Sequence, residues 1–317
     1  MRIAVRLSLG IALGLPGPLI AGVALLVGEP HGRFGFFNPT GHASIYLDRL
    51  CAATPTSLRW CAPGEPGVVI SRYNRIGGFD WLAVPLGPYF YAIEVPHALP
   101  SSISPAAVFR LRDEYRRRHL RDIAPDGPGG EPPKGDWTQL VGTSFDRTVW
   151  GYYLETTRED DERLLNLLNG VENRRRFNLF ARNCADFAKL VINHYFPKAL
   201  RRSIVADAGI TTPKHLAGSL VKFARSREIP VTRFVIAQVA GVRRSTKTRG
   251  VAESLVRSKK YAVPLLVFQP WIAGGAAVAY LTQGRYDPRR GEPIPCPGAN
   301  LPYCLTPPET SVADAPQ

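Results

Sequence analysis

The residues of this chain whose types could do chemistry together are a cysteine and a histidine that lie far apart in sequence. Cys184 sits in RNCADFAKLVINHYFP, Arg182 to Pro197. Asn183 has the character of a helix N-cap, Asp186 places a negative charge in the first turn, and Pro197 closes the run. Phe187, Leu190, Val191 and His194 or Tyr195 recur at helical spacing and define one buried stripe. Cys184 therefore stands at a helix N-terminus, where unpaired backbone N–H groups and the macrodipole favour a thiolate nucleophile. The competing reading is a structural cysteine that happens to start a helix, since free cysteine is among the most buried residue types.

A thiol nucleophile needs a base within hydrogen-bond reach and a third group to orient that base. His42 is the best placed of six histidines, because it begins a strand directly after the turn Asn38-Pro39-Thr40-Gly41. A strand end is rigid, and the turn keeps the side chain accessible. His194 is nearly three helical turns from Cys184, too far to touch the sulfur. His119 belongs to a basic helix, His97 precedes a loop, His215 falls on a later helix, and His31 lies just outside the N-terminal apolar run.

Periodicity gives the strands and helices that carry this pair. His42 to Leu47 alternates as a strand, with His42, Ser44 and Tyr46 on one face. Gly67 to Asn74, GVVISRYN, is a second strand, and Trp81 to Val95 holds one or two more around a Pro-Gly turn. Ser104 caps a helix to Asp122 with Pro105 in its first turn, and the basic residues of that helix form a solvated face or a contact for anionic headgroups. Asp126 to Asp136 is a Pro/Gly loop, Thr138 to Leu154 returns to strand-like alternation, and Arg158 to Asn169 is an amphipathic helix. Thr212 and Pro213 start another helix after the cysteine helix. The front half is thus mainly antiparallel β, and the chain as a whole α+β.

In this order, GHASIYL followed far downstream by RNCADFAKLV resembles the circularly permuted branch of the NlpC/P60 papain-like superfamily, which includes lecithin:retinol acyltransferase-like and PPPDE-like proteins. In that branch the histidine strand precedes the cysteine helix. TTPKHLAGSL also resembles a Thr-Pro helix start seen after the cysteine helix in some members. The resemblance spans about residues 35–220 and implies a permuted papain-like core, an antiparallel sheet plus a Cys-bearing helix. It implies Cys184 as nucleophile and His42 as base, with the Cys184 backbone N–H stabilising the oxyanion. The third polar residue falls on the strand after the histidine strand. GVVISRYN lacks the second histidine usual there in the acyltransferase subgroup, so Ser71 or Asn74 takes that place. Tyr46 and Asn183 are candidates for the substrate pocket, against core packing for the first and a cap for the second.

Composition sets the surroundings. The chain has 317 residues, a formal net charge of +14, 29 Pro, 29 Gly and five cysteines. Its 40 Lys and Arg favour an anionic partner, and with no nucleic-acid module in view a membrane surface is the economical choice. Cys51 and Cys61 lie close together, as do Cys296 and Cys304, which suits two disulfides and leaves Cys184 unpaired; CxxC spacing for a metal site is missing, and no cofactor is expected. Residues 1–28 carry Arg2, Arg6 and an apolar run, a signal peptide or signal anchor, so the chain beyond residue 28 is expected to be exported. The division expected is this leader, a papain-like domain over 29–224 with an insertion at about 81–137, a basic linker over 225–260, a transmembrane helix over 261–282 and a Pro-rich tail over 283–317. The activity expected is thiol hydrolysis or acyl transfer at an amide or ester bond, of a membrane lipid or a cell-wall peptide. The rivals are a non-catalytic membrane protein that uses the same scaffold to bind an anionic partner, and a basic polymer-binding protein.

Overall fold

Seven residues at the end of the N-terminal apolar run, Gly22–Gly28 (β1), form a strand at the middle of the sheet, with every residue buried. The computed structural model describes residues 21–32, 39–74, 76–94 and 101–296. β1 pairs antiparallel with His42–Leu47 (β2) on one side and with Val149–Glu155 (β7) on the other. Beyond β2 the sheet continues through Val68–Ser71 (β5) and Leu82–Pro85 (β6). Beyond β7 it continues through Thr232–Ile236 (β8) and the two-residue Ile294–Pro295 (β9), whose pairing with β8 is the parallel one. Leu50–Thr54 (β3) and Ser57–Trp60 (β4) form a separate hairpin, and the Cys51–Cys61 disulfide joins its two ends.

Both faces of the sheet are covered, which explains why β1 is apolar throughout instead of alternating. One face carries Arg158–Asn169 (α4), Cys184–Tyr195 (α5) and, after the single turn Ile204–Asp207 (α6), Pro213–Ser226 (α7), through Leu164, Leu168, Phe187, Val191, Leu216 and Leu220 among others. The other face carries Leu86–Tyr91 (α1), Pro105–His119 (α2) and the short Thr143–Asp146 (α3), through Phe90, Val108, Tyr115 and Phe145. Full burial of an aliphatic or aromatic side chain of this size contributes about 1.5–3 kcal/mol. The stretch expected to be an insertion, 81–137, thus begins with a strand of the main sheet and goes on to build the second layer.

Three parts of the expected division take a different form. The leader's last residues are β1, and residues 1–20 lie outside the described residues. The basic linker contains β8, whose Phe234 and Ile236 are buried while Arg233 lies over the Tyr152 ring, and the helix Val251–Arg257 (α8). The expected transmembrane helix is two helices, Lys259–Phe268 (α9) and Pro270–Gln283 (α10), parted at Gln269. A residue before proline is kept out of the helical region, and Gln269 sits at φ −144°, ψ 61°. Among the described residues no helix is long and apolar enough to cross a membrane. The basic helix α2 is also less solvated than expected: Arg116 is fully buried between Asp113, Asp126 and the Ala124 carbonyl, and Arg112 bonds Val141, Gly142 and Asp146. Ser104 caps α2 and Thr212 caps α7, each accepting from the backbone three residues on.

Candidate active site

α5 starts where the sequence places it. The Asn183 side chain accepts from the Asp186 N–H at 2.9 Å, and Asp186 accepts in return from the Asn183 N–H at 3.3 Å, a complete capping box. Asn183 Nδ2 donates to the Leu179 and Thr211 carbonyls, and Asp186 is held by Thr211 and Arg202. The first residue inside this fixed end is Cys184. The buried stripe of α5 runs through Ala188, Val191, Ile192 and Tyr195, so Ile192 takes the inward place expected of Leu190, which is exposed.

β2 starts at His42, directly after Gly41. Gly41 has φ +78°, and a Cβ there would stand 2.3 Å from the Gly28 carbonyl oxygen, so only glycine lets the turn pass this close to the end of β1. Asn38, the expected first residue of that turn, lies outside the described residues. His42 is paired in register with Gly28 at the rim of the sheet. Ser71, the last residue of β5, is buried; its hydroxyl donates to the Ala43 carbonyl at 2.7 Å and lies 2.9 Å from His42 Nε2. A hydroxyl has one proton, so toward His42 it accepts. That assignment puts the proton of the neutral imidazole on Nε2 and leaves the Nδ1 lone pair free. The Tyr73 ring stacks on the imidazole with centroids 5.0 Å apart.

His42 and Cys184 line one cavity of about 590 Å³, together with Arg72, Tyr73, Asn74, Arg147 and Asn183. Burial holds His42 down at about 3, with the charge of Arg147 and the neighbouring His31 acting the same way, so the imidazole is neutral at neutral pH. Burial likewise pushes the Cys184 thiol up; the backbone N–H groups of Ala43 and Ala185, the Arg147 charge and the cysteine's own N–H act against it without reversing it. The resting thiolate expected from the helix N-terminus is therefore replaced by a neutral thiol that shares the cavity with a neutral imidazole. Cys184 lies within the first turn, but a helix end contributes only about 0.3–1 kcal/mol there, less than the desolvation of a buried thiolate costs.

The remaining expected residues divide. Asn74 lines the cavity, but the hydrogen bond to His42 comes from Ser71. Asn183 lines it too, with its amide committed to the cap and two carbonyls. Tyr46 lies in the other core layer, fully buried, with its hydroxyl donating to the Pro66 carbonyl, and is not on the cavity wall. Cys51 and Cys61 are bonded as expected. Cys296 is buried, and Cys304 lies outside the described residues. Two of the wall residues, Arg147 and His31, were given no role by the sequence. Arg147 precedes β7 and reaches the cavity across Gly28, and His31, which accepts from Arg147, comes just after β1. Neither belongs to a local pattern; only strand pairing brings them to Cys184.

No protein-family model matches the chain, and no curated protein does. Among solved structures, the crystal structure of a type VI secretion system effector, TseH, is similar over 68% of this chain and 92% of its own, at 12% identity and a TM-score of 0.30. That likeness is broad and loose and places the chain in no family.

Proposed function

We propose that this protein is a cysteine-dependent hydrolase or acyltransferase with a permuted papain-like core, acting on an amide or ester bond. The observation that carries the reading is the His42 imidazole, held by Ser71 through Nε2 so that Nδ1 is free, on the wall of the cavity that also holds Cys184 at a capped helix start. Because the resting pair is neutral, proton transfer accompanies attack. The Cys184 sulfur adds to the carbonyl carbon as its proton passes to His42 Nδ1. The oxyanion forms beside the Cys184 backbone N–H at the α5 N-terminus. The imidazolium then returns its proton to the leaving amine or alcohol, and water or an acceptor takes the acyl group by the reverse steps.

Export is part of the same proposal, and the Cys51–Cys61 disulfide supports it, since such bonds persist in oxidising compartments. The partner proposed is an acidic lipid surface. Around the break between α9 and α10 the exposed side chains are Leu266, Val267, Phe268, Trp271 and Ile272, with Lys259 and Lys260 at the base of α9. The substrate is a lipid acyl group or a cell-wall peptide.

The deciding experiment is iodoacetamide labelling against pH with the disulfide intact, for wild type and His42→Ala, followed by a screen of lipid esters and cell-wall peptides with Cys184→Ala as control. Labelling of Cys184 that slows at least tenfold in His42→Ala, with turnover lost in Cys184→Ala, is expected. Labelling indifferent to His42 would leave a papain-like scaffold without catalysis.

A further inference from the structure

Arg147 is 7% exposed, and its Nε is buried without a partner. Its guanidinium donates from Nη2 to His31 Nε2, at 2.5 Å. Because that nitrogen accepts, the His31 proton sits on Nδ1, which faces Asp146 at 3.8 Å. Burial, with Arg147 beside it, holds His31 down at about 3, so the guanidinium is propped by a neutral ring. Among the described residues no carboxylate pairs with Arg147. Asp146, its neighbour in sequence, attracts the guanidinium through space but makes its ion pair with Arg112, at 2.6 Å. The other guanidinium on the wall, Arg72, is neutralised by Asp80 at 2.8 Å. Asp136, the acid on the same wall, opens a 3₁₀ turn and is half-buried. A buried guanidinium stays charged, and a buried charge with no directly paired carboxylate is costly.

Room for this arrangement is built into β1. A Cβ at Gly28 would stand 2.7 Å from Arg147 Cδ, so the missing side chain lets Arg147 cross the strand end next to His42. The strand thus gives up a side chain at the point where the arginine reaches the cavity.

We infer that Arg147 is an anion-binding residue of the substrate pocket, and that the substrate carries an oxyanion group, a carboxylate or a phosphate, close to the bond that Cys184 attacks. The inference rests on the Cys184–His42 reading and narrows its substrate class. A guanidinium presents paired donors that match either oxyanion. A free carboxylate points to a peptide and a phosphate to a phospholipid.

The test compares alkylation of Cys184 by anionic iodoacetate and by neutral iodoacetamide, at matched ionic strength, each normalised to free cysteine. In wild type the iodoacetate:iodoacetamide ratio should exceed that of free cysteine by about tenfold or more, as a charge-assisted hydrogen bond implies. Arg147→Gln, and Gly28→Ala, which leaves the guanidinium intact but displaces it, should both abolish the preference. Arg147→Lys should keep part of it. Inorganic phosphate should protect wild-type Cys184 from iodoacetamide more strongly than acetate does if the oxyanion is a phosphate, and less strongly if it is a carboxylate. A wild-type ratio equal to that of free cysteine, with labelling still dependent on His42, would overturn the anion site and leave the Cys–His pair standing. If Cys184 reacts with neither reagent, the Cys–His reading fails; thermal stabilisation by phosphate or acetate that disappears in Arg147→Gln then sustains the anion site, and its absence overturns that as well.

Discussion

A serine hydroxyl has one proton, and at Ser71 it goes to the Ala43 carbonyl, so the direction of the bond to His42 is settled by counting donors. Ser71→Ala removes that acceptor and leaves a buried carbonyl short of a donor. We expect a loss of about 1–2 kcal/mol in urea unfolding and Cys184 labelling slower by roughly tenfold or more. A normal labelling rate would mean that another group orients the ring. His42 and His31 each sit near 3 in the folded chain against about 6.5 when exposed, held down first by burial. Between those values the unfolded chain binds protons that the folded chain does not, so stability falls as pH drops through that window. The slope is up to about 1.4 kcal/mol per pH unit for each histidine. Asp48, raised by burial to about 6 from 3.8, acts in the opposite direction between those two values. Comparison with His42→Gln removes what the two chains share: the variant should lose less stability than wild type between pH 6.5 and 4. Equal slopes would show that His42 charges freely in the folded protein.

Among single elements, local chemistry and tertiary demand can be told apart within α5. Its start is local: the Asn183–Asp186 capping box is written in four adjacent residues, and so are the caps at Ser104 and Thr212. Its inward face is not local. Leu190 and Ile192 are equally apolar, and the packing of α5 against the sheet decides that Ile192 is buried. Asn183→Ala should cost about 2 kcal/mol or more, since it removes a cap and leaves the Leu179 and Thr211 carbonyls without their donor. The helix start should fray, and Cys184 labelling should lose its dependence on His42. Urea unfolding together with labelling checks this; a variant of wild-type stability would show that Asp186, Thr211 and Arg202 suffice to hold the helix end.

Across the molecule as a whole, an apolar break projects from a basic chain. α9 has 10 residues and α10 has 14, so they extend about 15 Å and 21 Å, well short of the roughly 30 Å hydrocarbon core. The base of α10 packs against the body through Ala276 and Ala279, while Phe268 and Trp271 are each about 70% exposed. If an acidic lipid surface is the partner, the chain should co-sediment with vesicles of mixed anionic and zwitterionic lipid. Binding should weaken with salt, and Phe268→Glu combined with Trp271→Glu should reduce it at least tenfold, since burying even one such side chain is worth about 1.5–3 kcal/mol. Unchanged binding by the double variant would remove this region from the contact. The construction of the sheet makes the same point about apolar runs: GVALLVG is fully buried because helices cover both faces, and by hydropathy alone it looks like part of a membrane leader.

Features that depend on neighbours along the chain could be read from the residues alone. The helix opened by Asn183 and Cys184, the glycine turn before His42, the strand carrying Ser71 and the close Cys51–Cys61 pair were all legible, because caps, turns and alternation act over a few residues. The fold set the rest, through packing between segments far apart in the chain. It turned the end of an apparent leader into the central strand and a basic linker into β8, because a strand needs partners that hydropathy does not name. It set a neutral thiol in place of a thiolate, because desolvation depends on everything packed around Cys184. It also brought Arg147 across Gly28 to the cavity, through a pairing of strands more than a hundred residues apart.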